Sequence, residues 1–249
     1  MRHFFGTDSA NTHPLTKIAA ALAAAAILSS CGSDAGTKAT TNSTSGDAGL
    51  YTIENDHIIG NANAKVTIVE HASVMCGACQ NWHETVYPDF KKKYIDTGLV
   101  RFIFREFPTP PENLAQAGFL IANCTGDDKF FDNIKLQFKR RPQIFKAMQD
   151  GTVLQEYVAI GKAGGLSEEE TMACLRDEEQ IAKYEAKVQN GLDNGVTGTP
   201  SFFMNGVKLD RTSAGKQVFL MESFDEALAP ILGAEATKSD EPADEAKPE

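Results

Sequence analysis

The residues of this chain best equipped for chemistry are Cys76 and Cys79, in the stretch Cys76-Gly77-Ala78-Cys79. They follow an apolar, β-branched run, Val66-Thr67-Ile68-Val69, and a link over residues 70–75. They open a stretch of helical character over residues 80–94. A helix N-terminus carries unpaired N–H groups and partial positive charge. A thiolate there is stabilised, so its pKa falls and it becomes a nucleophile near neutral pH. A second thiol at this spacing can attack a mixed disulfide formed at the first, which is the minimal equipment for thiol–disulfide exchange. Other uses of the pair compete with this one. A C-x-x-C can be half of a zinc site, and His83 lies one turn on, but no second C-x-x-C or H-x-x-x-H completes it. The two thiols could instead hold Cu(I), with Met75 and Met204 as further soft ligands, although both methionines suit a core. A purely structural pair would staple little chain.

The elements that must position these thiols are legible in outline. Residues 50–53 could form a short first strand, and 65–72 a central one. In the helix after Cys79, Trp82, Val86 and Phe90 share an apolar face, and Pro88 should kink it. Residues 99–107 read as a further strand, and the order β-α-β predicts a parallel pair. A helical section follows: Leu114, Ala117, Ile121 and Cys124 fall on one face, 130–138 and 152–162 look helical, and Ser167 with Glu170 makes a capping-box pattern. A longer helix spans about 178–192. Then 201–204, Asn205-Gly206 and 207–209 read as a hairpin. Ser223 and Glu226 suggest a second capping box, opening a last helix that ends near Leu232.

The flanks are different in kind. Residues 1–30 resemble an export signal, with Arg2 and Lys17 before the Ala-rich apolar run 18–28, which is too short for a membrane span. It ends in Leu28-Ser29-Ser30-Cys31, similar to the lipobox at which bacterial lipoproteins are cut and lipidated, so Cys31 is the expected lipid-bearing residue. Residues 31–49 read as a flexible tether and 234–249 as a disordered acidic tail. The folded part is then 50–233, with an insertion at about 111–193. The formal charge of −10 argues against a nucleic-acid partner.

The motif C-x-x-C at Cys76 and Cys79, followed far downstream by Thr197-Gly198-Thr199-Pro200 and Ser201-Phe202-Phe203-Met204-Asn205-Gly206, resembles the DsbA family of bacterial thiol–disulfide oxidoreductases, in its thioredoxin-4 type. The resemblance covers essentially all of 50–233 and implies an α/β thioredoxin fold with a helical insertion. It implies that Cys76 is the exposed nucleophile and Cys79 the buried resolving thiol. Pro200 matches the family's cis proline, and Thr199 would offer its backbone to an extended substrate. Glu70 matches a buried acid under the active site that relays the proton of Cys79, where the residues alone allow a solvated strand-end carboxylate. His71 is expected in the core and His83 on the surface.

The dipeptide Gly77-Ala78 departs from the strongly oxidising members, which carry a histidine there. The cysteine count then makes sense as one lipidated residue plus two pairs, and some family members carry a second pair in the helical section, so Cys124 and Cys174 are expected to form a structural disulfide. What the resemblance implies is a DsbA-like oxidase of the cell envelope, a lipoprotein anchored on the periplasmic side. It would act on cysteine-containing exported proteins and be reset by a membrane redox partner, with no metal or organic cofactor. A reductase or isomerase remains the alternative.

Overall fold

In the computed structural model, which describes residues 52–209 and 219–233, the apolar run before the cysteines forms the centre of a sheet. Strand β1 is His57–Gly60, β2 Val66–Ala72, β3 Val100–Glu106, β4 Ser201–Met204 and β5 Val207–Lys208. The order across the sheet is β1-β3-β2-β4-β5. Strand β2 pairs in parallel with β3 and antiparallel with β4, and all seven of its residues are buried. The two edges are finished by antiparallel β1 and β5. The first strand therefore lies beyond the expected 50–53: residues 52 and 53 are not in a strand, and the short run at His57–Gly60 pairs instead.

Side chains alternate across a strand, and β2 uses both faces. Ile68 points into the main core with Trp82, Phe90, Phe102, Phe202 and Phe224. Val69 packs on the other side with Ile103, Phe107, Val196 and Phe203. Glu70 shares the face of Ile68, and His71 that of Val69.

The helix after the cysteines starts at Gly77 and is shorter than its apolar pattern suggests. Helix α1, Gly77–Thr85, gives way to a short α2, Tyr87–Phe90, and a π-helical turn, Lys91–Ile95. Pro88 lacks an N–H and its ring conflicts with the carbonyl four residues earlier. It is accommodated by starting a new segment, while Trp82, Val86 and Phe90 all stay buried.

Five helices stand between β3 and β4: α3 Glu112–Cys124, α4 Asp127–Asp150, α5 Val153–Ala163, α6 Glu168–Cys174 and α7 Glu178–Asp193. The capping box at Ser167 and Glu170 is formed. Helix α4 is far longer than the expected 130–138, because Phe138, Ile144 and Ala147 keep its buried face going through Pro142. Lys187 of α7 reaches buried Glu106 of β3 at 2.7 Å, and Arg105 of β3 holds buried Asp56 at 2.5 and 3.0 Å. Removing one partner of such a pair strands a buried charge, so these contacts fix the helical section and the N-terminal segment against the sheet. The hairpin turn is Asn205-Gly206, with φ of 46° and 86°, the left-handed pair that a two-residue hairpin needs. The last helix, α8, Met221–Leu232, has Leu220 at its cap with no side-chain capping bond, so Ser223 lies inside the first turn and the second expected capping box is not formed.

The signal, tether, Cys31 and tail lie outside the described residues. Among the described residues no helix is long and apolar enough to cross a membrane.

Candidate active site

Strand β2 ends at Ala72, and the buried link Ser73-Val74-Met75 turns the chain into α1. Cys76 stands at the N-cap, with extended backbone (φ −85°, ψ 120°), and its sulfur accepts the N–H of Cys79 at 3.3 Å. It also lies 3.4 Å from the carbonyl oxygen of Thr199. The two thiols are unbonded; Cys76 is half-buried and Cys79 fully buried. Hydrogen bonding from the Cys79 thiol, helped by the contact at Thr199 and the N–H groups of Cys79 and Ala78, outweighs burial and brings the Cys76 thiol from its ordinary 9.0 down to about 6. Burial drives Cys79 the other way, well above 9.0, reinforced by Cys76 and the charge of Glu70. One thiol is thus poised to ionise and its neighbour to stay protonated, a division of roles suited to exchange.

Glu70 is fully buried on the face of β2 that α1 covers. Its Oε2 is 2.8 Å from Nε2 of His83, and its Oε1 has no hydrogen-bond partner among the described residues. A carboxylate oxygen with no partner in the interior is costly, and Glu70 is buried rather than a solvated strand end. His83 is not a surface residue: its side chain is 9% exposed, with the ring between Tyr87 and Phe138. The spacing of four from Cys79 puts it on the inward face of α1, a signal that was present in the sequence. His71 is buried among Phe107 and Phe203, both ring nitrogens are without hydrogen-bond partners among the described residues, and burial lowers its pKa to about 3.

The peptide bond Thr199–Pro200 is cis, as is Pro110–Pro111. The Thr199 carbonyl faces Cys76, and the Thr199 hydroxyl is buried without a partner among the described residues. Met75 is buried in the main core and Met204 packs against it. Cys124 and Cys174 are joined by a disulfide between the ends of α3 and α6, a closure of 50 residues. Sequence reasoning missed Arg141 of α4, whose guanidinium lies against Gly77. It belongs to the run Lys139-Arg140-Arg141 of an acidic chain, but nothing in that run shows which element it touches.

The thioredoxin family model matches residues 52–219, more than half of the 249, and the chain belongs to that family. A provisionally named protein-disulfide oxidoreductase of Rickettsia prowazekii is 35% identical over 164 residues, which make up 64% of this chain and 58% of the relative. The matched segment is thus less than two thirds of that relative's own length. The crystal structure of alpha-DsbA1 of Wolbachia pipientis shares the fold, with a TM-score of 0.62 at 24% identity over 79% of this chain and all of that one. Oxidised BdbD of Bacillus subtilis does so with a TM-score of 0.61 at 18% identity, over 72% of this chain and 94% of that one.

Proposed function

We propose that this protein is a thiol–disulfide oxidoreductase that exchanges disulfides with cysteine-containing exported proteins, chiefly as an oxidase. The observation that carries the reading is the opposed pair: Cys76 at a helix N-cap and lowered to about 6, with Cys79 buried behind it and raised. The provisional name of the Rickettsia relative agrees with it.

In the oxidising direction Cys76 and Cys79 begin as a disulfide. A substrate thiolate attacks the sulfur of Cys76, the Cys76–Cys79 bond breaks, and the electron pair leaves on Cys79. That thiolate is disfavoured where it is buried, so it takes a proton, which Glu70 relays in this reading. A second substrate thiolate then attacks the substrate sulfur of the mixed disulfide and expels Cys76 as a thiolate. Two electrons have passed from the substrate dithiol to the cysteine pair, and a membrane redox partner must remove them. The Thr199 carbonyl, set beside Cys76 by Pro200, aligns the extended substrate backbone. Cys124 and Cys174 serve stability. Cys31 carries the lipid that holds the protein in the envelope, on the periplasmic side; mass spectrometry of the mature N-terminus should find a diacylglyceryl group there.

The test is oxidation of a reduced two-cysteine peptide by the oxidised protein, one peptide disulfide formed per chain. Cys76→Ala should abolish it; turnover by that variant would sink the reading. A reductase or isomerase is favoured by one observation. A thiol at about 6 lies in the upper part of the range of about 3.5–7.5 for activated cysteines, so the reduced pair is less favoured than in a strong oxidant. Thiol trapping of Cys76 and Cys79 in intact cells separates the two.

A further inference from the structure

The dipeptide between the two cysteines carries no side chain able to stabilise a thiolate, and a charge arrives there from elsewhere. Arg141 lies in α4, 65 positions after Cys76 in the chain. Its Nε donates to the carbonyl of Met75 at 3.0 Å, the residue just before Cys76. Its Nη1 donates to Oε1 of Gln80 at 3.3 Å, the residue just after Cys79. Between these two grips it covers Gly77: a β-carbon there would meet Nη2, Nη1 and Cζ at 3.4, 3.5 and 3.6 Å. The ring of Phe145, 5.0 Å from the guanidinium carbon, supports it from within α4.

The charge is not already spoken for. Arg140 beside it is neutralised by Glu156 in a two-pronged contact at 2.7 and 2.8 Å. Arg141 makes its bonds to neutral acceptors, and among the described residues it has no carboxylate partner. Other ionisable groups around Cys76 include Cys79, in the first turn of α1, and, deeper, Glu70 on β2 with its partner His83. Glu70 and Cys79 are acids, and Arg141 brings a positive charge to the start of the same helix.

Resting on the exchange reading above, we infer that Arg141 is a positioning residue for the reaction: it clasps the main chain on both sides of the cysteine pair and sets a fixed positive charge against Gly77, favouring the thiolate of Cys76. The helical section is then part of the redox machinery and not only a cover.

The test uses reduced, purified full chain and two variants. Arg141→Gln can still donate to a carbonyl but has no charge, and Arg141→Lys keeps the charge but not the planar fork. Thiolate absorbance across pH gives the pKa of Cys76, and equilibration with glutathione gives the exchange constant. Arg141→Gln should raise the pKa and make the pair about three- to tenfold less oxidising, as loss of one nearby charge would, while Arg141→Lys stays close to the unaltered protein. In the unaltered protein added salt should raise the same pKa by screening the half-buried guanidinium. A titration unchanged by Arg141→Gln, a Lys variant shifted as far as the Gln variant, or a pKa indifferent to salt would each overturn the inference. None of these readings needs a protein substrate, so oxidation of the two-cysteine peptide judges the exchange reading separately.

Discussion

Acid should weaken the reduced protein through Cys76, by an amount the site geometry sets. A thiol whose folded pKa is depressed adds stability that is complete above its unfolded pKa and disappears as the pH falls through the folded one. Here the window runs from 9.0 down to about 6. With those two values the linkage relation gives about 2.7 kcal/mol at pH 8, about 1.4 at pH 7 and less than about 0.1 at pH 5. Solvent reaches the half-buried sulfur and screens the groups that stabilise it, so a change of about 1–2 kcal/mol between pH 8 and pH 5 is the working figure. Cys79 does not confuse the result: its pKa is raised, so its contribution changes only above about 9. The assay is urea unfolding of the reduced chain at pH 5, 6, 7 and 8, beside Cys76→Ser. Serine keeps the N-cap without ionising, and subtracting the two curves removes all other titrations. The wild-type advantage should grow with pH by about 1–2 kcal/mol across the range. A flat difference would refute the account of how this helix start activates the thiol.

Three further outcomes follow from the same geometry. Cys174→Ala opens a closure of 50 residues, worth up to about 4 kcal/mol in the chain-entropy model; calorimetry should show a lower Tm, while the rate at which Cys76 is alkylated stays nearly the same. Ala78→His adds a donor where the dipeptide has none, and equilibration with glutathione should show a stronger oxidant, about 30 mV for each tenfold change in the constant. If Glu70 relays the proton of Cys79 as proposed, Glu70→Gln should slow peptide oxidation about tenfold or more, and an unchanged rate would remove Glu70 from the mechanism.

Reading the chain in one dimension works where a residue's role follows from its neighbours. The strand period of two is enough to put Glu70 on the face of Ile68, and the step from β2 into α1 is enough to put Cys76 at a helix start. It fails where long-range packing decides. The run His57–Gly60 is too short to stand out, and only the open edge of β3 makes it a strand. Pro142 looks like a stop, yet buried Ile144 and Ala147 carry α4 past it. The second failure bears on the site. Arg141 of α4 bonds to the carbonyl of Met75 and to Gln80 around the start of α1, and Phe138 of the same helix meets the ring of His83, the partner of Glu70. The cysteine pair has an acid from the sheet, Glu70, and a cation from the helical section, Arg141, among its neighbours. The motif states only that two thiols are close. Which of them ionises is decided by hydrogen bonds within the motif and at Thr199, and by burial under elements that lie far from it in the chain.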